Sequence, residues 1–115
     1  MATPVATYRA VGRSVDYTPG GAVAAGAVVV QSELVGVASQ AIAASALGRL
    51  DVEGIWRFPK AVTSGSAIAA GDLVYWDVAD AEATEDADGG TNKLIGKCVL
   101  ASADATAYVD VKMHQ

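Results

Sequence analysis

The sequence predicts an all-β protein: a small single-domain β-barrel or sandwich with internal pseudo-duplication, Gly-rich turns and at most one short helix. Three observations carry this. Glycine and proline punctuate nearly every junction, from "TPGG" at 18–21 through Gly26, Gly36, Gly48, Gly54, Pro59, Gly65 and Gly71 to "DGG" at 88–90 and Gly96. Turn signals this dense imply many short strands. The runs between them are β-branched or aromatic, or alternate apolar and polar side chains with the period of two that a half-buried strand requires. Finally, one phrase is written twice: "AVAAGAVVVQS" at 22–32 returns as "AIAAGDLVYWD" at 67–77.

In chain order, "MATPVATYRAVGR" carries Arg9 and Arg13 and no acidic residue. It reads either as a frayed terminus followed by an edge strand or as an extended arm suited to strand addition onto another protein's sheet. The expected organisation is an N-terminal arm over 1–14 and one β domain over 15–115, with pseudo-repeats at 22–58 and 67–113. Each copy of the phrase opens on a tight turn whose glycine takes positive φ and feeds a strand. The runs 27–30, 73–76 and 94–100 are apolar enough for strands buried on both faces or lying at a subunit contact. After each phrase the halves stay parallel. Leu34, Val35 and Gly36 answer Leu94, Ile95 and Gly96, while Leu50 and Val52 answer Val109 and Val111. "SQAIAASALGRL" at 39–50 favours helix by its alanine content, but its counterpart at 101–107 is short and broken by Asp104. A turn or a single helical turn is therefore expected. Leu50, Val52, Trp56 and Phe58, like Val109, Val111 and Met113, mark the inward faces of alternating strands. The second half is longer between Trp76 and Lys93, in an acidic stretch read as a solvated loop.

A chain of 115 residues buries roughly 65% of its extended surface on folding, enough for one modest core. The hydrophobic residues are mostly Ala and Val and only 6% of the chain is aromatic, so the core is thin and a pocket for a bulky cofactor is not expected. The formal net charge of -5 repels polyanions, so no nucleic-acid partner is expected. Cys98 is the only cysteine and has no intramolecular disulfide partner. A small domain without such staples relies on its core or on self-association. The N-terminus lacks the pattern of a secretory signal, and no apolar run approaches membrane-spanning length, so no membrane association is expected.

No constellation of catalytic groups emerges, and neither a cofactor nor a metal is expected. His114 lies beside the C-terminus; with Ser14 and Asp16 it lacks any nucleophile-elbow motif and reads as a solvated residue. Cys98 sits in the strand pattern "LIGKCVLA" and reads as buried and inert. Asp77, Asp80, Glu82, Glu85, Asp86 and Asp88 depart from the EF-hand spacing, because Gly90 and Thr91 stand where that pattern needs a ligand and its glycine. Nothing fixes the separation of Glu33 from Asp51 or Glu53 that a glycosidase pair needs. There is no phosphate-binding P-loop. A swinging-arm carrier domain is disfavoured, since Lys60, Lys93 and Lys97 lack the expected acidic and apolar setting. The bulky residues are Trp56, Phe58, Tyr75 and Trp76. Both tryptophans are expected in the core, while Phe58 and Tyr75 are candidate interface aromatics.

Taken together, "VGRSVDYTPGGAVAAGAVVV", "LVGVA", "AIAASALGRLDVEGIWRFPKA", "AIAAGDLVYWD" and "NKLIGKCVLASADATAYVDV" resemble the small capsid cement or decoration proteins of tailed bacteriophages. The resemblance covers nearly the whole chain in order. Some relatives carry a recombinase-like label, which the missing P-loop gives no reason to credit. The resemblance implies a non-enzymatic β-rich virion protein, made in the bacterial cytoplasm, that binds the outside of the assembled head and stabilises it. The implied partners are the major capsid protein and further copies of the chain, a homotrimer in preference to a homodimer. The expected capsid-binding arm comprises Tyr8, Arg9, Arg13 and Tyr17. The alternative is a free-standing β module for a glycan or a tail protein, with a concave aromatic platform.

Overall fold

A computed structural model describes residues 6–7 and 9–114. It is all-β, with two antiparallel sheets packed as a sandwich and not closed into a barrel. The first half of the chain supplies a four-stranded sheet: β1 (Ser14–Tyr17), β2 (Val28–Gln31), β3 (Leu34–Val37) and β4 (Gly48–Asp51), in the spatial order β1-β4-β3-β2. The five-stranded sheet comprises β5 (Gly54–Pro59), β6 (Leu73–Asp77), β7 (Glu82–Thr84), β8 (Lys93–Leu100) and β9 (Tyr108–Met113), ordered β5-β9-β8-β6-β7. The only helical element among the described residues is a 3-10 turn at Asp88–Gly90. The stretch 39–47 is irregular and tied down by a bridge between Val23 and Ile42.

The twice-written phrase makes the same backbone pattern each time. The Gly26 N–H donates to the Ala38 carbonyl at 2.6 Å and the Gly71 N–H to Cys98 at 2.7 Å. Ala27 donates to Ala24 as Asp72 donates to Ala69, both at 3.1 Å. Val23 and Ile42 exchange two bonds, as do Ile68 and Ser102. Gly26 and Gly71 sit at φ 85° and 92°, the left-handed conformation that glycine adopts without a Cβ clash, as the sequence predicts for these turns.

One face of the four-stranded sheet, with Val28, Val30, Val35 and Val37, packs on the main core of Phe58, Ile68, Val74, Trp76, Ile95, Val109, Val111 and Met113. Its other face holds a second, smaller cluster of Ala38, Ile42 and Leu50, with Val15, Tyr17, Val23 and Val29 against it. β2 thus packs on both faces. The runs at 73–76 and 94–100 do not: Leu73, Val99 and Leu100 are exposed, because none of the described residues covers the outer face of the five-stranded sheet. The acidic stretch is also more ordered than a solvated loop. β7 pairs with β6 and buries Ala83, since Ala83 and Trp76 meet in register on the core face.

Candidate functional site

Of the expected arm, Tyr8 lies outside the described residues. Arg9 and Arg13 are exposed, and the Arg13 carbonyl accepts from the Val52 N–H at 3.0 Å, so the segment is fastened to the domain immediately before β1. The Arg13 side chain borders a shallow groove with Asp51, Glu53, Ile55 and Trp56. Tyr17 is at the other end of β1, half-buried on the small cluster, roughly 13 Å along the chain from Arg13. The fold therefore fastens Arg13 beside the groove and sets Tyr17 apart from it, half-buried against the small cluster.

Phe58 requires a correction as an interface candidate. It is 1% exposed and its ring lies 6.0 Å from that of Trp76 at 56°, a tilted aromatic pair inside the core. Alternation explains this: Trp56 and Phe58 share one face of β5, and that face points inward. Trp76 is buried and Trp56 is half-buried against the core, as expected for both. Tyr75, next to Trp76 on β6, is half-buried and pairs with Thr84 and Leu94.

Sequence reasoning missed an ordered group on the outer sheet face. The register of β5 and β9 sets Arg57 opposite Asp110 and Pro59 opposite Tyr108. Arg57 donates through Nε at 2.8 Å and through Nη2 at 3.3 Å to the two carboxylate oxygens of Asp110. Its guanidinium also lies 3.8 Å from the Tyr108 ring centroid. A planar guanidinium suits both contacts. The hydrogen bond from Arg57 holds the Asp110 carboxyl below the usual carboxylate range, and Asp110 in turn raises the Arg57 pKa. Each strand's alternation was legible beforehand, but the register joining 57 to 110 was not.

The remaining candidates fall into structural roles. Lys60 is 5% exposed; its ammonium donates to the Ala61 carbonyl at 2.8 Å, the Ala103 carbonyl at 3.0 Å and Ser66 Oγ at 3.3 Å, tying two loops together. Lys93 pairs with Glu33 at 3.0 Å and Lys97 lies within β8, so no lysine of the three stands at a hairpin tip. Burial pushes the Cys98 thiol up from its ordinary pKa, and its Sγ donates to the Leu100 carbonyl at 3.1 Å. Among the described residues no group of three or more His, Cys, Asp or Glu side chains is placed to hold a metal ion, and no helix is long and apolar enough to cross a membrane. A groove bordered by Ser14, Ser39, Gln40, Leu47, Arg49 and Asp51 contains no aromatic ring in its lining.

A β sandwich with two apolar clusters, a tethered basic segment and an ordered exposed sheet face has the makings of a structural scaffold that binds through surfaces. Comparison with known families agrees: residues 10–113 match the phage cement proteins, and the chain belongs to that family. This gives it a structural, capsid-associated role in a bacteriophage, of a kind that suggests no enzymatic activity. No curated protein and no solved structure matches the chain.

Proposed function

We propose that this protein is a head decoration protein that binds the outer surface of the assembled capsid shell and stabilises it. The observation that carries this reading is the family match, which runs from Ala10 in the basic segment to Met113 at the end of β9 and so includes the whole folded body. Such a role requires many copies, each bridging neighbouring shell subunits, so that modest contacts multiply through multivalency. The body is built as pseudo-repeats 22–58 and 67–113, and the arm, residues 1–14, reaches the major capsid protein with Arg9 and Arg13 as its charged contacts. The copies associate as a trimer in preference to a dimer.

The test is the protein composition of purified particles. A copy number equal to that of the major shell protein, or a fixed simple fraction of it, is expected; absence from the particle rejects the reading. Deleting residues 1–12 is expected to abolish shell binding while circular dichroism shows the domain still folded. Unchanged occupancy assigns the contact to another surface.

A further inference from the structure

The outer face of the five-stranded sheet carries two lysines on its inner strands, with exposed apolar side chains to either side. Cross-strand partners point to the same face, so the pairings Ile55 with Lys112, Lys112 with Lys97 and Lys97 with Leu73 lay one row across β5, β9, β8 and β6. Leu100 joins from the adjacent row as the partner of Asp110. Ile55, Leu73 and Leu100 are 64%, 45% and 63% exposed. Lys97 and Lys112 stand directly opposite each other, a like-charge pair that is unfavourable in an isolated chain. Neither takes part in the ion pairs found among the described residues, Arg57 with Asp110 and Lys93 with Glu33.

At the other end of β6 the hairpin to β7 has the opposite character. Val78 at its turn is 62% exposed and is flanked by Asp77, Asp80 and Glu82. The Asp77 carboxylate accepts from the Asp80 N–H at 3.2 Å, and none of the three carboxylates is ion-paired among the described residues. One chain thus presents a face with a basic centre between apolar side chains and an apolar knob with acidic neighbours. A rigid strand of roughly 15 Å holds them apart within the chain.

We propose that the β6–β7 hairpin of one copy docks on the outer sheet face of the next, Val78 against Leu73 and Leu100, with Asp80 and Glu82 opposite Lys97 and Lys112. The apolar contact supplies affinity, while the charges set register and salt dependence. Joined head to tail, as the trimer preferred above requires, two copies still leave one hairpin and one face open, so assembly proceeds to three or more. This deepens the self-association in the reading above and stands independently of shell binding.

The test is sedimentation of the full chain at about 0.1 M and about 1 M salt, between which the Debye length falls from about 10 Å to about 3 Å. Oligomers of three or more copies are expected at low salt, weakened at high salt. Lys97→Glu with Lys112→Glu is expected to raise the dissociation constant at least about tenfold, and so is Asp80→Lys with Glu82→Lys. Combining all four restores assembly, because the charges are exchanged and not lost. Circular dichroism confirms folding of each variant. A wild type that stays monomeric or stops at a dimer overturns the proposal, as does a fourfold variant no better than its parents. Shell occupancy of the variants separates the two readings: retained occupancy with lost assembly leaves the cement reading intact.

Discussion

In the first half of the chain the turn at Gly26 delivers Val28, Val29 and Val30 into a sheet whose outer cluster contains only Ala38, Ile42 and Leu50 as fully buried residues. In the second half the matching turn at Gly71 delivers Val74 and Trp76 into the main core with Phe58, Ile95 and Val111. The backbone bonds are the same and the side-chain volumes are not. The backbone pattern therefore fixes where strands begin and cross, while the burial that stabilises the body is concentrated in the five-stranded sheet.

The largest test of that asymmetry is truncation in each cluster. Ile95→Ala in the main core is expected to cost about 4–5 kcal/mol in urea unfolding, against about 2–3 kcal/mol for the same truncation, Ile42→Ala, in the small cluster. If Ile42→Ala costs as much as Ile95→Ala, the small cluster is no satellite and the comparison fails. Next come the corresponding strand glycines. A Cβ at Gly96 meets the Lys112 carbonyl oxygen at 1.9 Å, whereas one at Gly36 meets Leu50 Cβ at 2.7 Å. Backbone paired in a ladder has less room to move than a neighbouring side chain. Gly96→Ala is expected to cost at least about 3 kcal/mol and Gly36→Ala about 1–3 kcal/mol; denaturation midpoints that rank the other way contradict this.

Lys60→Met, which removes the ammonium from its three acceptors and keeps the apolar stem, is expected to cost about 1–2 kcal/mol. It should also raise amide exchange in 61–66 and 103–106 without altering the four-stranded sheet. The smallest effect is electrostatic. Because Arg57 lowers the folded pKa of Asp110, the pair's contribution is present above the unfolded carboxylate pKa of about 4 and is lost as pH falls through the folded value. Asp110→Asn should therefore narrow the stability difference from wild type only in acid, and by little, since the pair is solvent-exposed. A difference that grows as pH falls has the wrong sign for this account.

Much of the fold was legible. The alternation of Val109, Val111 and Met113 with Tyr108, Asp110 and Lys112 gave β9 its inward face, and the glycine turns placed the strand starts. Phe58 was misjudged because composition marks an aromatic residue as valuable without saying which side of the strand is covered. In the acidic stretch 77–93 the charges hide the short β7, whose single inward residue, Ala83, carries little hydrophobic signal. The hairpin and sheet face now proposed to meet were visible only in part. The apolar runs at 73–76 and 94–100 fit either double burial or a subunit contact, and the exposure of Leu73, Val99 and Leu100 removes the first among the described residues.

The sequence by itself determined the all-β class, the paired turns at Gly26 and Gly71 and the buried faces of the alternating strands. These depend on local sterics and on a period of two. Only the tertiary structure decided the register that seats Arg57 on Asp110 and Tyr108, the enclosure of Phe58 and Lys60, and the exposure of Leu73 and Leu100. Those depend on which strands become neighbours and on what the second sheet covers, and contacts between residues distant in the chain leave no mark on its local pattern.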